Sequence, residues 1–220
     1  MSYTPQPLPL GNVYGFGQHG GATNSPSNTL VPMVLERTGN GERSCDIYSM
    51  LLNKRIICVK DGFNAAMASV ISAQLLYLDS VDSKRHIELH INSPGGEIYS
   101  FLDILTTINK ISAPVHTFAT GLAASCGSIL FNVAAPGKRF MGKYARQMIH
   151  QPSSGAQGTV TDMKISIAEA EHLKTVLTQL YVEKNSKGLT YEQIAELMER
   201  DRWLSAEESV KLGFADAIIG

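Results

Sequence analysis

Apolar and polar positions follow two rhythms along this chain, and the rhythm switches repeatedly. Over residues 86–91 the period is two: Ile87, Leu89 and Ile91 fall on one side with polar residues between them, which predicts a strand. Over residues 63–78, Met67, Ile71, Leu75 and Leu78 recur at helical spacing and predict a helix with one apolar face. The same reading gives a short helix over 46–55, a strand over 56–59, a helix near 98–111 and a strand over 115–119. Short strands follow at 139–141 and 147–150. A long helix over 161–185 carries Leu173, Val176, Leu177 and Leu180, and its length suggests an element projecting from the core. Helices over 191–198 and 206–212 and a strand over 215–219 complete the pattern, and Ser93-Pro-Gly-Gly96 reads as a turn. Strands alternating with helices predict an α/β fold with mostly parallel pairing. No stretch of sequence repeats.

Residues 1–29 break this pattern. They are rich in Gly, Pro, Ser and Asn, show no periodicity, and read as a flexible N-terminal extension. From Leu30 the texture becomes that of a folded domain, so residues 30–220 are expected to form one unit. The first 35 residues contain no Asp, Glu, Lys or Arg, which leaves neither the charged start of a secretory signal nor the arginines of a transit peptide. No apolar run approaches the roughly 18 residues of a membrane span.

Composition narrows the partners. A hydrophobic share of 44% in 220 residues is enough for a substantial core. The net charge is −1 with both signs mixed, so no basic excess points to nucleic acid or to a membrane surface. The three cysteines, Cys45, Cys58 and Cys126, have no zinc spacing and an odd count, which favours reduced thiols in a cytoplasmic compartment. Without a phosphate-binding Walker motif the chain does not itself hydrolyse ATP. No cofactor or metal is expected.

The chemistry begins at Ser125, in Gly121-Leu-Ala-Ala-Ser-Cys-Gly127. Small residues before it and an apolar run after it place a serine at the first turn of a buried helix, directly after a strand. There a helix N-terminus offers free N–H groups and partial positive charge, which suits a developing oxyanion. The plainer alternative is a small residue that permits close packing. A serine nucleophile needs a base. Among six histidines, His150 ends a strand and is followed by Gln151-Pro152, which stops regular pairing at a sheet end. His19 lies in the extension, His86, His90 and His116 in or beside strands, and His172 on the long helix. The run Glu199-Arg-Asp-Arg-Trp203 supplies a carboxylate from Glu199 or Asp201, or else merely a solvated charge cluster. No Gly-x-Ser-x-Gly surrounds Ser125, and the order Ser…His…Asp is not that of an α/β-hydrolase. A triad is defined by geometry, so the order is no obstacle.

The blocks Ile91-Asn-Ser-Pro-Gly-Gly96, Gly121 to Gly127, Met148-Ile-His-Gln-Pro152 and Glu199 to Trp203 resemble the proteolytic subunit family of the Clp protease. So do Leu30-Val-Pro-Met33 and Gly41-Glu-Arg-Ser-Cys-Asp-Ile-Tyr-Ser49, and the likeness runs from about residue 30 to residue 220. It implies a ClpP/crotonase-like fold of repeated β-β-α units with a projecting handle, a strand plus the long helix. It implies Ser125 as nucleophile, His150 as base, Asp201 as the carboxylate that holds it, and the backbone N–H groups of Gly96 and Cys126 as the oxyanion hole. The segment 153–160 corresponds to one that takes up the substrate backbone as an added strand. Further implications are two stacked heptameric rings, alone or mixed with a paralogous subunit, and inter-subunit ion pairs at Arg200 and Arg202. Unfolded proteins would be fed in by an AAA+ unfoldase of the ClpX, ClpA or ClpC type, and residues 1–29 would be removed near the 29/30 junction.

The chain departs from the family in four places. Cys45 stands where an aromatic is usual and Cys126 where methionine is common. His90 and Lys110 replace aromatics that help dock the unfoldase loops. Two other functions are compatible with such a fold: that of a crotonase-type lyase or hydratase acting on a thioester enolate, and that of an inactive structural ring subunit. A complete Ser-His-Asp set argues against both.

Overall fold

Ile87, Leu89 and Ile91 are fully buried on one face of a strand inside a seven-stranded sheet, as their alternation requires. The structure, a computed structural model, describes residues 31–38 and 41–220. The chain divides into two units, Met1–Pro32 and Met33–Gly220, and all described elements belong to the second. The expected flexible extension, residues 1–29, and its junction at 29/30 lie outside the described residues.

In chain order the elements are β1 (Met33–Thr38), β2 (Gly41–Asp46), α1 (Ile47–Asn53), β3 (Ile56–Phe63), α2 (Ala65–Val81), β4 (Ile87–Gly96), α3 (Ile98–Lys110) and β5 (Val115–Ala124). Then come α4 (Cys126–Asn132), β6 (Arg139–Gly142), β7 (Arg146–Ile149), α5 (Val160–Lys184), α6 (Tyr191–Leu197), β8 (Arg202–Leu204), α7 (Ala206–Lys211) and β9 (Ala217–Ile219). β1 and β2 form an antiparallel pair of their own. The main sheet runs β3-β4-β5-β6-β9, all parallel. β5 forks: Thr117–Ala119 pairs with β6, while Leu122–Ala124 pairs with β7. β7 in turn pairs with β8, antiparallel. This is the expected α/β class with a mostly parallel sheet.

Side-chain caps set several of the helix starts. Asn64 Oδ1 accepts from Met67 N at 2.9 Å and opens α2. Thr159 with Asp162, Thr190 with Gln193, and Ser205 with Glu208 form reciprocal capping boxes that open α5, α6 and α7.

Several strands outrun their periodicity. β3, β4 and β5 continue to Phe63, Gly96 and Ala124. The expected turn at Ser93–Gly96 is instead the end of β4, with Gly95 opposite Gly62 and Gly96 opposite Phe63. Glycine is what keeps the ladder closed there: a Cβ on Gly96 would lie 2.5 Å from the Phe63 nitrogen. β1, β2 and β8 have no signal in the periodicity; β8 has three residues, too few to alternate. The long handle helix is present, but residues 151–157 form no ladder within the chain, so the expected handle strand is unpaired here.

One buried charge fastens the C-terminal segment. The Arg139 side chain is wholly inaccessible and pairs through two nitrogens with the Asp216 carboxylate. Its Nη1 also donates to Lys184 O at 2.7 Å and to Asn132 Oδ1 at 3.4 Å. Burial alone would raise the Asp216 pKa, yet hydrogen bonds from Arg139 and Gly137 hold it below its ordinary 3.8. The stabilisation is therefore complete above the range of a free aspartate and fades as pH falls through the lower folded value. Asp216→Asn leaves a buried guanidinium uncompensated and is expected to cost about 3–5 kcal/mol, measured by urea denaturation at neutral pH.

Candidate active site

The fork in β5 is where the site forms. At its far end, Ala124 pairs with Met148, and Ser125 N donates to Met148 O at 3.0 Å. Ser125 then turns sharply into α4 with φ 53 and ψ −126, a left-handed region that a non-glycine residue occupies only under constraint. Its hydroxyl makes no helix cap and is free for other work. Gly95 makes room for this bend: a Cβ there would lie 2.6 Å from Ser125 Cβ.

His150 follows β7 directly. In the β7–β8 ladder Gln147 faces Leu204, Met148 faces Trp203 and Ile149 faces Arg202. One more step along that register brings His150 opposite Asp201. His150 Nδ1 lies 3.1 Å from Asp201 Oδ1, and His150 Nε2 lies 2.9 Å from Ser125 Oγ. An ionised Asp201 can only accept, so Nδ1 carries the proton and Nε2 is left to accept from the serine hydroxyl. The chain just beyond is pinned by Gln151 N to Met198 O at 2.7 Å and Gln151 Nε2 to Glu199 O at 2.9 Å. Glu199, the rival carboxylate, turns instead to Lys174 at 3.5 Å.

Gly96 and Cys126 lie close together beside the serine. Cys126 Sγ donates to Gly96 O at 3.5 Å, joining the end of β4 to the start of α4. Burial pushes the Cys126 thiol up to about 11, so it is a neutral packing group at physiological pH and not a rival nucleophile. Two further residues shape this corner and were visible in the sequence only as members of a motif. Buried Ser93 donates to Asp61 O at 2.6 Å and accepts from Gly95 N at 3.2 Å. Asn92 Oδ1 accepts from Leu122 N at 2.9 Å, across the fork of β5.

A cavity of about 310 Å³ opens against Ser125 and His150, with Ile98, Ile129, Leu173 and Leu177 in its wall. A larger one, about 510 Å³, lies among α1, β3 and α2 and touches no part of the Ser-His-Asp cluster. Among the described residues no cluster of His, Cys, Asp or Glu is arranged to hold a metal, and no helix is long and apolar enough to cross a membrane.

All five residues expected of the site thus lie in one corner of the fold. A serine on a strained turn, a histidine within hydrogen-bond reach and an aspartate behind it form an arrangement suited to covalent hydrolysis. The family model described as Clp protease matches residues 39–220. That family is one of proteases that assemble as oligomers and work with Clp ATPases, and this chain belongs to it.

Proposed function

We propose that the chain is a serine-type endopeptidase that cuts unfolded polypeptides to short peptides inside a chamber of two stacked heptameric rings. The single observation that carries this reading is the unbroken hydrogen-bond sequence from Asp201 through His150 to Ser125. Ser125 Oγ attacks the scissile carbonyl carbon while its proton passes to His150 Nε2. Asp201 holds the resulting imidazolium by its Nδ1–H. The oxyanion accepts from the N–H groups of Gly96 and Cys126, and His150 then protonates the leaving amine. Water hydrolyses the acyl ester by the same steps in reverse. The apolar wall of Ile98, Ile129, Leu173 and Leu177 suits an apolar side chain before the cut bond.

Ring assembly, alone or with a paralogous subunit, and feeding by an AAA+ unfoldase of the ClpX, ClpA or ClpC type complete the proposal, as does a cytoplasmic location. The docking face carries this chain's own chemistry. His90 stacks on Phe118 with centroids 4.8 Å apart, Phe118 on Phe140 at 5.0 Å, and His90 Nε2 lies 3.0 Å from Glu88 Oε2. Lys110 is the exposed last residue of α3. A polar rim of this kind weakens docking of an apolar loop, whose affinity comes from burial at about 25 cal/mol per Å².

Ser125→Ala is expected to lower kcat on a small fluorogenic peptide by about 10⁴-fold or more and to abolish fluorophosphonate labelling, with ring assembly unchanged by native mass spectrometry. Substantial turnover or labelling in that variant would falsify the serine assignment. For docking, the expected outcome is weak stimulation of casein degradation by a generic ClpX or ClpA hexamer, with gain of coupling in His90→Tyr/Lys110→Phe. Full coupling in the wild type would show that these two positions do not control docking.

A further inference from the structure

The helix that starts at Ser125 is held from beneath by buried polar groups that the reaction itself does not use. Ser128, one turn beyond Ser125, is wholly inaccessible, and its Oγ accepts from Tyr181 OH at 2.8 Å and from Gln147 Nε2 at 2.8 Å. Ser128 N donates to Ser125 O at 2.9 Å, so the two serines share one helical turn. The three members stand on three different elements. Ser128 is on α4, which Ser125 begins; Gln147 is on β7, which delivers His150; and Tyr181 is on α5, whose Leu173 and Leu177 form part of the cavity wall. Leu173, Leu177 and Tyr181 succeed one another at helical spacing, all buried on one face.

A second rung lies one turn further along both helices. Asn132 Nδ2 donates to Ser128 O at 2.9 Å, Arg139 Nη1 reaches Asn132 Oδ1 at 3.4 Å, and the same nitrogen donates to Lys184 O at 2.7 Å. α4 is thus bolted to α5 at two levels. The first level alone also reaches the strand of His150.

Polar groups are costly at this depth, and their presence needs a reason. Gln147 Oε1 is buried with no hydrogen-bond partner among the described residues, so an apolar side chain would fill the space with nothing left unpaired. Burial pushes the Tyr181 phenol well above its ordinary value, so it remains a protonated donor at any working pH. What hydrogen bonds supply, and apolar packing does not, is a fixed distance and direction. The group that needs this is Ser125, held in a strained backbone conformation at 2.9 Å from His150.

We propose that Tyr181 is a positioning residue for the reaction, holding the helix of Ser125 through the Ser128 hydroxyl in register with the strand of His150. The proposal rests on the serine-peptidase reading given above. Tyr181 touches no substrate and acts through Ser128. Because it shares a helix face with Leu173 and Leu177, it links the wall of the substrate cavity to the aim of the nucleophile.

The test is Tyr181→Phe, which deletes one oxygen and keeps the ring and its edge contact with Phe214 at 5.5 Å. The intact assembled protein is assayed for kcat and KM on a fluorogenic peptide and for the rate of fluorophosphonate labelling. The expected result is a fall of about five- to tenfold in kcat and in labelling rate together, with KM changed less than about twofold. Ser128→Ala should do the same, and the double variant should be no worse than the poorer single one, because both changes break one network. Unchanged kcat and labelling rate in Tyr181→Phe would overturn the proposal, whatever happens to Tm, and so would a change confined to KM. Failure of the underlying reading is a separate result, since it would appear as turnover or labelling in Ser125→Ala.

Discussion

The pairing of β7 decides where Ser125, His150 and Asp201 stand relative to one another. β7 has four residues and two partners: it runs parallel to the far end of β5 and antiparallel to β8. The first ladder ties Ser125 to Met148 through the backbone, and the second carries Asp201 to the position opposite His150. A slip of one residue in either ladder would turn the side chains of β7 to the opposite faces and part the imidazole from one of its neighbours. Burial prevents the slip. Gln147, Met148 and Ile149 are all inaccessible, and so is Leu204 across from them. The spacing within the Ser-His-Asp cluster therefore follows from strand register, which these buried side chains hold.

Register alone does not explain why the serine presents its hydroxyl. A non-glycine residue at positive φ costs on the order of 1–3 kcal/mol and persists only where its surroundings over-determine it. Ser125 is held on both sides. Its own N–H is anchored to β7, Gly95 closes against its Cβ, and Ser128 and Ile129 donate to its carbonyl at 2.9 and 3.2 Å. With the backbone so constrained, the side chain has no capping role and is left to the histidine. The neighbouring thiol, by contrast, is taken out of the chemistry by burial.

Most of the scaffold was legible in the sequence because its helices and inner strands have clean periods. Alternation at Ile87, Leu89 and Ile91, and helical spacing at Met67, Ile71, Leu75 and Leu78, are direct records of which faces are buried. The parts that carry the site were less legible for physical reasons. Strand ends at Asn92–Gly96 and Leu122–Ala124 bulge and carry small or polar residues, so their period fades just where the chain bends to the serine. His150 could be favoured from its place at a strand end. Asp201 could not be separated from Glu199 by composition, because what distinguishes them is a ladder partner far off in the chain; only motif resemblance pointed to it. The role of Ser128, Gln147 and Tyr181 left no local trace, since each reads alone as an ordinary residue in an apolar stretch.

The late return of the chain to β6 and β7 bears on how the protein is made. β9 closes on β6 and β8 on β7, and the Arg139–Asp216 bond that seals this return spans 77 residues of sequence. Parallel strands joined over such distances pair slowly, because loop closure must come before the contacts that reward it. During synthesis from the N-terminus, the open edges of β6 and β7 have no cover until residues 202–219 have emerged. A nascent chain in that state carries unsatisfied strand edges and a charged guanidinium without its counter-ion, which is a species prone to aggregate. A chain of the Clp protease family therefore passes through an aggregation-prone state on the way to its own fold, and its yield in a cell depends on how briefly that state lasts.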